Sequence, residues 1–183
     1  MKTKQIETER LLLCRPNTEY LAQIEAWLSD PEMMTFVGGP MEKDKIGKFI
    51  EFIDQHWESY CFGHYLIFEK NDQSKPIGMI SLKYMNEEDA ENKIPDIGIM
   101  LSADSRRKGY AVESGKALLN YAKRELNLTE IQAHSHPENE SARKILIKSV
   151  FHFVGEKESE AYGINFGNSS HWRLNISQYE SDE

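Results

Sequence analysis

Between Asp96 and Leu126 the chain changes its hydrophobic period within a few residues, and that change constrains its fold more than any other feature. Asp96-Ile97-Gly98-Ile99-Met100-Leu101 is an apolar run of strand length. From Tyr110 to about Leu126, Ala111, Gly115, Leu118, Leu119, Ala122 and Leu126 share one face at helical spacing. Between them stand Ser102-Ala103-Asp104-Ser105, three consecutive cations, Arg106-Arg107-Lys108, and then Gly109. A helix N-terminus offers unpaired backbone N–H groups and the positive end of a dipole, which together suit a phosphate. Gly109 allows close backbone approach, and Arg106, Arg107 and Lys108 add charge. The plain alternative is an exposed turn in which basic residues cluster. Neither GxxxxGK[ST] nor GxGxxG is present, so this is neither a Walker loop nor a dinucleotide fingerprint.

The remaining elements follow from the same periodicities. Arg10 to Arg15 reads as a strand stopped by Pro16, and Thr18 to Leu28 as a helix ended by Asp30-Pro31. Ile46, Phe49, Ile50, Ile53 and Trp57, at offsets of 3, 4, 7 and 11, predict a helix from about Glu42 to Tyr60. His64–Glu69 and Ile77–Tyr84 read as a hairpin around a turn at 71–74, and the acidic run Asn86 to Glu91 as a solvated loop. Strand Glu130–Ala133, a turn at Pro137, helix Glu140–Lys148 and strands Phe151–Gly155 and His171–Ile176 complete the order β-α-α-β-β-β-α-β-α-β-β. This is an α/β chain whose helices cover the faces of a mixed sheet. No linker or repeat divides it, so residues 1–183 read as a single domain.

Charge narrows the function. With 22 Lys and Arg against 30 Asp and Glu, the formal charge is −8, which excludes a general nucleic-acid binder and makes the basic turn stand out. Met1-Lys2-Thr3-Lys4-Gln5-Ile6-Glu7 has no apolar run behind its charges and does not read as a signal peptide. No stretch approaches the roughly 20 apolar residues that span a bilayer. Cys14 and Cys61 lie far apart with no metal spacing, so a cytoplasmic protein without membrane or nucleic-acid partners is expected.

Arg106-x-x-Gly109-x-Ala111 matches the [Gln/Arg]-x-x-Gly-x-[Gly/Ala] signature of the GNAT superfamily of N-acetyltransferases. Asp96–Leu101 resembles the strand before that loop, and Ala111-Val112-Glu113-Ser114 resembles the family's Ala-Thr-Glu-Ala helix start. Asn139-Glu140-Ser141-Ala142 with Lys148-Ser149-Val150-Phe151 is similar to its Asn-x-x-[Ser/Ala]…Lys-x-Gly-Phe. Glu9 to Pro16 resembles the first strand of the ribosomal-protein (alanine) N-acetyltransferase branch. The resemblance implies a mostly antiparallel central sheet of about seven strands flanked by about four helices. It implies acetyl-CoA as co-substrate, no metal, and an amine acceptor, and it leaves a homodimer open. Met100, Leu101, Arg106, Arg107, Lys108, Gly109, Tyr110, Ala111 and Asn139 become the expected cofactor contacts, Asn139 also being a good N-cap.

The implied chemistry is direct attack of an amine on the thioester. An α-amino group titrates near ~8 and a lysine-type amine near ~10.4, so a general base matters more for the second. Asp96 stands where the family often has Glu and is the expected base, the plain alternative being a solvated strand-end carboxylate. Met100 is the expected backbone N–H donor to the oxyanion. Departures are specific: Arg107 replaces a usual glycine, Val150 replaces the usual Gly before Phe151, and Leu146 and Ala142 occupy the usual Tyr and Ser positions of the proton donor. A CoA-binding module with little activity is therefore the alternative function. His134-Ser135-His136 could supply two metal ligands from one strand face, or His134 could line the acceptor site; no further ligand cluster accompanies them. In this family the acceptor is set by the first two helices, the loop at Glu87–Glu91 and a closing hairpin around Tyr162–Asn168. The acidic loop favours a cation.

Overall fold

A computed structural model of the chain describes residues 5–161 and 164–179. Among these residues eight strands form one sheet in the order β1-β2-β3-β4-β5-β6-β8-β7, and every neighbouring pair is antiparallel except β5 and β6. The strands are β1 (Ile6–Glu7), β2 (Leu11–Cys14), β3 (His64–Glu69), β4 (Gly78–Lys83), β5 (Asp96–Leu101), β6 (Glu130–Ser135), β7 (His152–Ala161) and β8 (Ile164–Asn175). Among the described residues five α-helices accompany them: α1 (Leu21–Leu28), α2 (Lys43–Tyr60), α3 (Glu87–Asn92), α4 (Tyr110–Arg124) and α5 (Glu140–Lys148).

The counts exceed the expected seven strands and four helices for local reasons. β1 is two residues long, too short to show a period, and exists by pairing Ile6 and Glu7 with Leu13 and Leu12. The expected loop at Asn86–Glu91 is helix α3. Asn86 caps it by accepting from the Asp89 N–H at 2.9 Å, and three acids lie in its first turn, where the helix dipole favours them. Thr18–Tyr20 is a 3-10 turn leading into α1. The two closing strands run much further than their apolar ends, to 10 and 12 residues. Tyr162 and Gly163 of the expected hairpin, and Met1–Lys4, lie outside the described residues.

Adjacent strand residues point to opposite faces. On β3, His64 meets Phe49 and Phe52 of α2, while the next residue, Tyr65, lies beside Tyr121 of α4. The two faces are thus covered by α2 and by α4. Leu11, Leu13, Ile67, Ile80, Leu82 and Leu118 are fully buried between the layers. Among the described residues no helix is long and apolar enough to cross a membrane.

Candidate active site

β5 lies in full antiparallel register with β4, from Lys83↔Asp96 to Gly78↔Leu101, and just beyond its end the Ser102 N–H donates to the Ile77 carbonyl at 3.0 Å. Bonded and open pairs alternate along an antiparallel ladder. Counting back from Ser102, the backbone groups of Met100, Gly98 and Asp96 face β4, and those of Ile97, Ile99 and Leu101 face β6. On that second side β5 and β6 share one register pair, Asp96↔Gln132. Past it the strands part, so Ile99 and Leu101 present backbone groups to a gap rather than to a neighbouring strand. The expected donor position, Met100, thus points away from the gap. Met100 turns its N–H to β4, and the Ile99 N–H faces the gap.

At the open end of the gap lies the basic turn. Arg107 has φ +62° and Gly109 φ +85°, both in the left-handed region, which explains why a glycine suits position 107. The first intrahelical bond of α4 runs from the Glu113 N–H to the Gly109 carbonyl, at 3.1 Å. The N–H groups of Tyr110, Ala111 and Val112 therefore have no intrahelical acceptor, and no side chain caps the helix. Arg107 and Lys108 are exposed beside them.

Arg106 is placed differently. Its Nε donates to the Leu101 carbonyl at 3.1 Å, Nη1 pairs with Glu32 at 3.1 Å, and Nη2 lies 3.5 Å from the Met33 sulfur. It ties the turn to the α1–α2 connection. Tyr110 is also occupied: its hydroxyl donates to Glu69 at 2.5 Å, and Arg10 lies 4.7 Å from its ring centre. Only its backbone faces outward. Asn139 caps α5, its Oδ1 accepting from the Ala142 N–H at 3.0 Å.

Glu113, noted in the sequence only as part of a motif, is the bolt of this end of the site. It accepts from the Thr8 hydroxyl (2.5 Å), the Arg10 backbone N–H (2.9 Å) and Arg10 Nε (2.7 Å). Arg10 Nη1 in turn donates to the Lys108 carbonyl at 3.1 Å, fixing the turn to β2. Partial burial pushes the Glu113 carboxyl up, but these donors hold it below its ordinary range.

Where the strands begin to part, four polar side chains form a line on the α2 face. Asp96, 4% exposed, accepts from Lys83 Nζ at 2.8 Å and from His134 Nδ1 at 2.6 Å. His134 Nε2 lies 2.8 Å from His171 Nδ1, across the β6–β8 register pair His134↔His171. His171 Nε2 is buried without a hydrogen-bond partner. Burial alone would raise the Asp96 carboxyl; Lys83 and His134 more than offset it and keep it below its ordinary value. Burial, reinforced by the neighbouring His134, lowers His171 to about 4. Asp96 is therefore not a solvated strand-end carboxylate: both its oxygens are engaged inside the sheet.

His134 and His136 do not converge as a ligand pair. β6 ends at Ser135, His134 turns to Asp96, and His136 leaves the strand to pack on Phe36, with ring centres 5.5 Å apart. Among the described residues no group of three or more His, Cys, Asp or Glu could hold a metal ion. Leu146 packs against the core and Ala142 only receives the Asn139 cap, so neither supplies a proton. Sequence reasoning did not reach Lys83, His171 or Ile99, whose roles depend on which strands neighbour one another.

Residues 10–152 match the family described as the acetyltransferase (GNAT) domain. No curated protein matches significantly. The fold is similar to that of an acetyltransferase from Agrobacterium tumefaciens, at 20% identity and a TM-score of 0.78 over 95% of each chain. A spermidine N-acetyltransferase from Vibrio cholerae, solved with CoA and spermine, aligns at 19% identity and a TM-score of 0.76, over 93% of this chain and 98% of its own. A ribosomal-protein-S5-alanine acetyltransferase from Vibrio fischeri aligns at 15% identity and a TM-score of 0.74, over 97% and 100%. The parted strands, the glycine-led helix and a family match spanning most of the chain agree, and the chain belongs to the GNAT acetyltransferase family.

Proposed function

We propose that this single-domain chain transfers the acetyl group of acetyl-CoA to a primary amine, by direct attack, in the cytoplasm. The observation that carries the reading is the gap between β5 and β6, lined by Ile99 and Leu101 and ending at the uncapped start of α4. The cofactor's pyrophosphate is assigned to the N–H groups of Tyr110, Ala111 and Val112, with Gly109 allowing close approach and Arg107 and Lys108 supplying charge. Leu101 and the Asn139 side chain border the path of its pantetheine arm, and Arg106 braces the turn from behind.

The Ile99 N–H is aimed into the gap, where a thioester carbonyl would develop negative charge. The departing thiolate has a pKa near ~8.5, so transfer proceeds without the proton donor that Leu146 and Ala142 fail to provide. Asp96 enters the mechanism through the groups it binds. For the acceptor, the exposed acids Glu87, Glu88 and Glu91 on α3 favour a cationic amine, either a polyamine or a protein N-terminus. Cys14 and Cys61 are free thiols, in keeping with a reducing compartment.

Calorimetry with acetyl-CoA, followed by thiol release over a panel of polyamines and alanine-initiated peptides, tests the reading. Saturable binding and turnover of one acceptor are expected, and no acetyl-CoA binding at high micromolar concentration refutes it. Binding without turnover across the panel would favour the second reading, a CoA-binding module, which the apolar residues at 142 and 146 support. Size measurement of the same sample decides whether the chain works as a homodimer.

A further inference from the structure

The polar line on the α2 face ends at an atom with nothing to bind, and its hydrogen-bond logic fixes what that atom is. A carboxylate only accepts, so His134 Nδ1 carries a proton toward Asp96. With one ring proton on each imidazole, His134 Nε2 is a lone pair that accepts from His171 Nδ1–H at 2.8 Å. That leaves His171 Nε2 as a bare lone pair, buried and unpartnered, on the α2 face of the sheet. Leaving a buried acceptor unmet is costly, and such atoms are rare in folded proteins unless a ligand completes them.

We propose that the proton released by the acceptor amine enters at His171 Nε2, directly or through one water, and comes to rest on His134, with Asp96 as the positioning residue. The inference rests on the acetyltransferase reading above. The amine nitrogen forms a C–N bond to the acetyl carbon, and the carbonyl pair moves to oxygen and returns as the C–S bond breaks. The ammonium proton passes to His171 Nε2 while the Nδ1 proton of His171 moves to His134 Nε2. The cation then lies on His134, against Asp96, and the CoA thiolate takes up one proton as the relay returns to its starting state. Amide and free thiol are the only net products.

The charges around the pair suit one proton and not two. The ring centres are 4.0 Å apart, so two adjacent cations would repel strongly. Burial opposes charge on His171, and His134, Lys157 and Arg173 add to it, so that it is held near 4. Asp96, paired with Lys83 at 2.8 Å through one oxygen, lies 2.6 Å from His134 Nδ1 through the other.

Nitrogen-15 NMR of the histidines in the free protein tests the starting state without any acceptor. A His171 protonated on Nδ1 and bare on Nε2 at neutral pH is expected, and protonation on Nε2 overturns the relay. His171→Asn keeps a donor near the Nδ1 position but has no nitrogen at the Nε2 position. With spermidine or an alanine-initiated peptide as acceptor, this variant should lose about 100-fold or more in kcat at neutral pH while its acetyl-CoA affinity stays within about threefold. The deficit should shrink as pH rises and hydroxide removes that ammonium proton in place of the relay. A wild-type pH profile in the variant, or a deficit equal at every pH, refutes the relay and leaves the acetyltransferase reading standing. Failure of the wild type to bind acetyl-CoA removes both.

Discussion

Arg107 and Gly109, separated by Lys108, both sit in left-handed backbone conformation, yet only one of them is a residue suited to it. A non-glycine residue there is strained by roughly 1–2 kcal/mol, part of which glycine would return as greater freedom in the unfolded chain. Arg107→Gly is therefore expected to raise stability by at most about 1 kcal/mol in urea unfolding while weakening acetyl-CoA binding through the lost charge. Gly109→Ala should move stability the other way, since its Cβ meets Arg10 Nη2 at 3.3 Å as well as an unfavourable φ. Loss of stability in Arg107→Gly would show that the arginine is held by contacts stronger than the strain.

Lys83 is 7% exposed and shares Asp96 with His134. Removing one member of a buried pair leaves the other charged and unbalanced, so Lys83→Met should cost roughly 3–5 kcal/mol. Chemical denaturation measures it. A cost under about 1 kcal/mol would mean that Asp96 is reached by water and not sealed in the sheet.

Acid should unfold the protein in two stages. His171 is lowered to about 4 from an ordinary 6.5, and burial lowers His56 and His64 as well, His64 strongly. A histidine held neutral in the fold lets the unfolded chain bind more protons below 6.5, so stability is full above that value and falls as pH drops toward 4. Asp96 follows: its lowered carboxyl stabilises the fold above the ordinary value of 3.8, and that contribution is lost as pH falls below it. Urea midpoints measured from pH ~7 downward should decline from about pH 6.5, since histidine titrates there in the unfolded chain. A flat profile to pH ~4.5 would contradict the burial of these rings.

Gly78 permits the close pairing of β4 and β5: a Cβ there would fall on the Met100 carbonyl and come within 3.0 Å of the Leu101 Cα. Gly78→Ala is expected to cost about 1–3 kcal/mol as an overpacked position. Because it displaces the strand that carries Ile99, acetyl-CoA binding should weaken more than the stability loss explains. Calorimetry on the folded variant checks this, and unchanged affinity would detach Ile99 and Leu101 from the cofactor.

The strand, basic turn and helix from Asp96 to Leu126 were legible because each carries its own period or punctuation. The order of the elements followed for the same reason. α3 was not legible, since Glu-Glu-Asp-Ala-Glu-Asn has no apolar stripe and is held by a cap from Asn86. Met100 and Ile99 could not be told apart as donors, because strand parity depends on where Ser102 meets Ile77 across the sheet. His134 and His171 are 37 residues apart, and only the β6–β8 register brings them together. Sequence reports what a segment prefers, whereas a site of this kind is assembled by neighbours that the segment does not contain.

The parting of β5 from β6 after a single shared pair leaves a short inward-facing sheet edge, with the donors and acceptors that an outer edge strand would show to solvent. A pantetheine arm carries two amides, so it is chemically a fragment of peptide and can lie in that slot as a missing strand would. The free protein is in this sense a sheet with one rung absent. Loading it with acetyl-CoA should raise the melting temperature with cofactor concentration, as mass action requires of any ligand that binds only the folded state, and should slow amide hydrogen exchange at Ile99 and Leu101.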